Sequence, residues 1–85
     1  MKSDLSSRPN IGKTLEKKLN GIGIHDVNEL AKAGSKNAYL QIKSIDGDAC
    51  YNMLCALEGA IQNIRWHDLS KSDKLDLKTF YESVK

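Results

Sequence analysis

The residues with the clearest chemical potential stand near the start of the chain, where Pro9-Asn10-Ile11-Gly12-Lys13 opens the run Thr14-Leu15-Glu16-Lys17-Lys18-Leu19. A glycine just ahead of a helical stretch lets backbone N–H groups approach an oxyanion. The helix amino end adds a partial positive charge, and Lys13 adds a full one. That is chemistry for holding a phosphate. Backbone amides near Ile11, Gly12 and Lys13 would face it from the turn that Asn10 begins, and Lys13, Lys17 and Lys18 would supply charge. Contacts of this kind position a protein on a duplex without reading its bases. The competing reading is that Pro9 and Gly12 do no more than start a helix tightly against a later one.

Other reactive side chains organise less well. Cys50 and Cys55 are five residues apart, so on a helix their thiols diverge by about 140° and cannot chelate one ion together. Cys50 is expected in the core. Cys55 is expected on the opposite face with Gly59 one turn on, a shallow groove in which another helix can lie closely. Either a helix of the same chain fills it or a second subunit does. His25 and His67 have no convincing ligand spacing, and no metal or cofactor is expected. Trp66, beside Arg65, either stacks on a base or plugs the end of a bundle. There is no G-x-S-x-G, P-loop or H-E-x-x-H, and a small bundle has little room for a substrate pocket of about 300 Å³. Neither catalysis nor a small-molecule substrate is expected.

These residues need helices to place them, and the sequence supplies helical spacing without any clean period of two. The first helix should begin just after Pro9-Asn10, carry Ile11, Leu15 and Leu19 on one stripe, and end at Asn20-Gly21 with a left-handed cap. Asp26 with Glu29 makes a carboxylate capping box that starts a second helix at Val27. Val27, Leu30 and Ala31 should face inward, and Gly34 should stop it. Ser35 should cap a third helix carrying Tyr39, Leu40 and Ile42. A fourth, central helix is expected from about 49 to 64. Ser70 with Asp73 should cap a last one with Leu77, Phe80, Tyr81 and Val84 inside.

Composition fits one all-α domain of about five short helices, spanning residues 1–85 with 1–8 as a loose lead-in. The 85 residues leave no length for a second core. Leu and Ile together supply 17 residues, enough for a core. The net charge of +2 is too small to announce a nucleic-acid protein, but it is unevenly spread. Residues 1–43 carry eight basic and four acidic side chains, residues 44–85 five basic and seven acidic. No run reaches the ~18 apolar residues of a membrane span, and Met1-Lys2-Ser3-Asp4 lacks the apolar stretch expected of a signal peptide. Two cysteines without such a signal are no disulfide framework. The expectation is a soluble, cytoplasmic domain.

The first turn has the look of a helix-hairpin-helix, usually Pro-Gly-hydrophobic-Gly, with Asn10 in place of the first glycine. A second turn of the same type is expected over Leu40-Gln41-Ile42-Lys43-Ser44-Ile45-Asp46-Gly47-Asp48-Ala49. There Ser44 and Asp46 replace small residues, and Asp46 and Asp48 would repel a phosphate. The runs RPNIGKTLEKKLNGIGIHDVNEL, NMLCALEGAIQNIRWHDL and FYESV resemble the C-terminal domain of the TfoX/Sxy regulators of bacterial competence, over about residues 5–84. The resemblance implies a SAM-like helical bundle with hairpin units, a bacterial cytoplasmic setting and no catalysis. In the longer regulators this domain follows an N-terminal one, so the chain reads as a stand-alone copy.

Two functions follow from these residues. In one, the domain contacts DNA phosphates non-specifically through Asn10, Ile11, Gly12, Lys13, Lys17 and Lys18. In the other, it binds itself or another regulatory protein through the Cys55/Gly59 face or the acidic second turn.

Overall fold

Local hydrogen bonds mark several of the helix boundaries in the domain. The computed structural model describes residues 5–47 and 49–84, and the first four residues, Asp48 and Lys85 lie outside that description. Five α-helices run in the order α1 (Lys13–Gly21), α2 (Val27–Ala33), α3 (Ser35–Ile45), α4 (Tyr51–Gln62) and α5 (Lys71–Val84). Short 3₁₀ turns occupy Leu5–Ser7 and Trp66–Asp68. The fold is all-α, with no strand among the described residues. Among the described residues no helix is long and apolar enough to cross a membrane.

The capping chemistry of α2 and α5 follows the sequence. Asp26 accepts the Glu29 N–H at 2.8 Å, while Glu29 reaches back to the N–H of His25, one residue before the cap. Ser70 accepts the Asp73 N–H at 3.0 Å. Each bond satisfies an amide that the first helical turn leaves open. Gly34 stops α2 at φ +83° and also precedes α3. The expected Ser35 cap is therefore displaced. Ser35 lies inside the first turn of α3, buried, and donates to Glu58 Oε1 at 2.7 Å.

α1 ends at Gly21, as expected, but its left-handed cap falls two residues beyond that. Gly21 is still helical, and the left-handed residue is Gly23 at φ +89°. The N–H of Ile24 bonds to Leu19 O at 2.9 Å and that of Gly23 to Asn20 O at 3.1 Å. Buried Leu19 and Ile24 flank this pair of bonds, as the Schellman arrangement favours. α4 ends the same way, with Asn63 left-handed at φ +62° and Ile64 N–H bonded to Gly59 O at 2.9 Å.

α4 is the central helix, packed against α2, α3, α5 and the Trp66–Asp68 turn. Leu54, Cys55, Leu57 and Ala60 are fully buried, joined in the core by Leu5, Leu19, Leu30, Ala38, Tyr39 and Ile42. The helix begins at Tyr51, so Cys50 sits ahead of it and is exposed, whereas Cys55 is inside. Cys50, expected in the core, is thus corrected to the surface, while the Cys55 face is covered by the chain itself, one of the two alternatives its groove left open. The physical reason is that α4 has neighbours on nearly all sides rather than on one arc. Ala31, expected inside, is exposed, and Leu40 on α3 is 40% exposed.

α5 closes the other side. Leu77 is buried, with Phe80, Tyr81 and Val84 packed half-buried against the core. The Tyr81 ring stands between those of Tyr39 and Tyr51, at centroid separations of 6.3 and 5.6 Å. Lys36 pairs with Asp76 at 2.7 Å and lies over the Phe80 ring, and Lys43 donates to the carbonyl of Val84.

Candidate nucleic-acid interface

The six residues singled out at the first turn separate into two groups. Asn10 faces inward. It adopts φ +73°, a left-handed conformation that asparagine tolerates better than most residues. Its Nδ2 donates to Ile64 O at 3.0 Å and to Ala56 O at 3.4 Å, and its Oδ1 accepts the Trp66 N–H at 3.1 Å. Ile11 is buried, and its N–H points back to Arg8 O at 3.4 Å. Neither the Asn10 side chain nor the Ile11 amide faces outward, so both leave the set of phosphate-holding groups.

Gly12, Lys13 and Lys17 face water. Gly12 precedes α1 in extended backbone, and no side chain caps the helix. A Cβ on Gly12 would meet nothing within 4 Å, so the approach to the amino end of α1 is open. Lys13, Thr14 and Lys17 are exposed, and neither lysine stands in an ion pair among the described residues. Glu16 is the acidic group in this first turn; it accepts the Ser6 N–H at 3.3 Å. Thr14 is the hydroxyl that the sequence reading passed over, although its place in the first turn after Gly12 was the available signal.

Lys18 belongs with the inward group. It pairs with Asp46, the carboxylate expected to repel phosphate from the second turn. α3 continues to Ile45, so Leu40-Gln41-Ile42-Lys43-Ser44-Ile45 is helix rather than hairpin. Ser44 donates back to Gln41 O at 2.7 Å. The turn proper starts at Asp46, and Asp48 lies outside the described residues. What the second turn presents to the first is a counter-ion for Lys18.

Beside the amino end of α1 lies an open depression of about 280 Å³, lined by Gly12, Lys13, Thr14, Leu15, Lys18 and Met53. Larger open clefts of about 400 and 560 Å³ lie at the α2–α3 junction against α5 and along α2. Each of the three is an open surface depression rather than an enclosed pocket. Among the described residues no group of three or more His, Cys, Asp or Glu could hold a metal ion.

The Cys55/Gly59 groove is filled by the chain itself. Cys55 is fully buried, and a Cβ on Gly59 would stand 2.5 Å from Asn10 Nδ2, 2.8 Å from Ile64 O and 3.2 Å from the Trp66 Cα. At Gly59 the groove is occupied by the Asn10 side chain and the Ile64–Trp66 backbone. Tyr51 approaches Cys55 from one turn earlier and donates to Lys74 O at 3.3 Å. Its hydrogen bond with Cys55, then burial, pushes its hydroxyl up to about 12. Burial lifts the Cys55 thiol, against the lowering pull of Tyr51 and the Lys74 charge. Trp66 is half-buried and lies against the His67 ring, 3.9 Å between centroids, while Arg65 is exposed.

The TfoX C-terminal domain family matches residues 1–81. Two crystal structures from Listeria monocytogenes share the fold. One, an uncharacterized protein in a triclinic form, is 49% identical with a TM-score of 0.92, covering 94% of this chain and 91% of that one. The other, a protein of unknown function in a tetragonal form, is 48% identical with a TM-score of 0.92, covering 95% of this chain and 99% of that one. No curated protein matches.

Proposed function

Because the chain belongs to the TfoX C-terminal domain family, we propose that it acts as a non-catalytic, competence-related regulatory domain that contacts the phosphates of duplex DNA through the amino end of α1. The observation that carries this reading is the exposed start of α1, without a side-chain cap, with two lysines one turn apart, neither of them in an ion pair among the described residues. An uncapped helix start leaves N–H groups directed outward with a partial positive charge behind them. Lys13 and Lys17 then add full charges on the same side of the helix. The site holds backbone and cation donors and no base-reading side chain, so binding would be insensitive to sequence. The reading is narrower than the sequence suggested: Gly12, Lys13, Lys17 and the neighbouring Thr14 carry it, while Asn10, Ile11 and Lys18 support the turn.

The test is fluorescence anisotropy of a labelled DNA duplex titrated with the whole chain, at low salt and again at about 200 mM. Binding in the range of ~10⁻⁴–10⁻⁶ M is expected, weakening with salt by a log–log slope of about −0.9 per phosphate neutralised. The pair Lys13→Ala/Lys17→Ala should reduce affinity by about tenfold and flatten the slope by about two charges' worth. Unchanged binding in that pair would refute the site.

A further inference from the structure

We infer that Asn10 is a positioning residue: its side chain locks the first hairpin to the turn after α4, so that the amino end of α1 and the Ile64–Trp66 backbone hold their places as one unit. The two segments lie far apart in sequence and share no helix. What joins them is one carboxamide used at both ends. Nδ2 donates to Ile64 O and Ala56 O, and Oδ1 accepts from Trp66 N–H. The carboxamide is thus a bridge with a donor end and an acceptor end, and no single-function side chain of similar size reproduces it.

Three further features fit a lock rather than an incidental contact. Asn10 is left-handed at φ +73°, which aims its side chain back across α4. Gly59 supplies the space, since a Cβ there would stand 2.5 Å from Asn10 Nδ2. Asn63 closes α4 in a left-handed conformation, and Ile64, the next residue, presents the acceptor carbonyl. The receptor for Asn10 is thus formed by the helix end itself. Gly12 and Lys13 follow Asn10 by two and three residues, so any shift in the lock moves the start of α1.

The experiment is amide hydrogen exchange followed by NMR on the whole chain. The Glu16 amide, bonded to Gly12 O, reports on the hairpin, and the Ile64 amide, bonded to Gly59 O, reports on the turn. The amides of Ala38 and Leu54 report on the rest of the fold. Asn10→Gly keeps the positive φ while deleting the carboxamide. Glu16 and Ile64 should both lose about tenfold in protection, with Ala38 and Leu54 losing less. Loss at one reporter without the other, or at neither, overturns the inference.

Should Asn10→Gly loosen the whole domain, Asn10→Asp decides. Ionised, the aspartate keeps the acceptor for Trp66 N–H but sets a carboxylate against the Ile64 carbonyl. Protonated, it can donate there again. The protection factors of Glu16 and Ile64 should therefore rise together on acidification through the carboxylate range. If they change with different midpoints, or do not change, the two segments are not coupled through Asn10 and the inference fails.

The consequence for DNA rests on the phosphate-contact reading, and the experiments separate the two. Unchanged duplex binding in Lys13→Ala/Lys17→Ala removes that reading and leaves the exchange result standing. Coupled loosening in Asn10→Gly with both lysines intact should weaken duplex binding several-fold if both hold.

Discussion

Replacing Gly59 by alanine is the sharpest test of how the centre of the domain is packed. In an exposed helix interior this change stabilises, because alanine is favoured over glycine by about 1 kcal/mol. Here the added methyl would stand 2.5 Å from Asn10 Nδ2, 2.8 Å from Ile64 O and 3.2 Å from the Trp66 Cα. Two of those three neighbours are backbone, so the strain cannot be relieved by rotating a side chain. Overpacking of this kind costs about 1–3 kcal/mol. Displacing Asn10 from the Ile64 carbonyl forfeits about 1 kcal/mol more. With the propensity gain set against these, Gly59→Ala should lower stability by about 2 kcal/mol. For a domain of this size that is a fall in Tm of about 8–16 °C. Urea unfolding followed by circular dichroism and by Trp66 fluorescence measures it. Gly21→Ala provides the control, since a Cβ on that exposed residue in the last turn of α1 would meet nothing within 4 Å. It should be neutral or stabilise by up to about 1 kcal/mol. A Gly59→Ala protein as stable as the parent would refute the reasoning.

Two further outcomes follow from the positions of the cysteines and tyrosines. A thiol reagent such as iodoacetamide should modify Cys50 in the native protein and reach Cys55 only on unfolding, because Cys50 is exposed while Cys55 is buried with its thiol lifted by burial. Mass spectrometry after brief labelling checks this, and equal modification of both would contradict the packing of α4 against α5. Stability should fall on the alkaline side. Tyr51 is raised from 10.0 to about 12, and Tyr39 and Cys55 are raised by burial from 10.0 and 9.0. Each group holds its proton in the folded state after the unfolded chain has released it. The stabilisation is complete below about pH 9 and drains away as pH rises towards 12. Urea midpoints that stay constant from pH 9 to 11 would count against it.

The helices were legible because their signals are local. Asp26 and Glu29, Ser70 and Asp73, and the Gly34 stop each act within four residues, and each appears where the spacing puts it. The left-handed cap of α1 was less legible, because Asn20-Gly21 and Gly23 both offer one. Only the burial of Leu19 with Ile24 selects the later one. What fills the Cys55 groove was left open, because a single hydrophobic arc says nothing of the opposite face, and α4 is packed on nearly all sides. The signal was present in α4 itself, where Asn52, Glu58 and Gln62 are the strongly polar residues among twelve. Such a helix is buried rather than amphipathic. At the candidate site, Lys13 and Lys17 were readable from spacing alone. The partners of Asn10 and Lys18 were not, because both are made across tens of residues and depend on how the helices stack.

The Asn10 bridge also bears on the order in which the domain assembles. Its bond to the Trp66 N–H closes a loop spanning 56 residues, whereas the capping bonds of α2 and α5 span three. Loop closure over such a length becomes favourable only once the intervening helices have folded and shortened the gap. The bridge should therefore form late, after the folding transition state. Removing it should leave the refolding rate nearly unchanged and appear almost entirely as faster unfolding. In stopped-flow experiments on Asn10→Gly, the unfolding limb should rise while the folding limb stays in place; a slowed folding limb would mean that this contact forms early. In kinetic terms, then, the carboxamide sets how long the finished domain lasts, and the local caps set how quickly it forms.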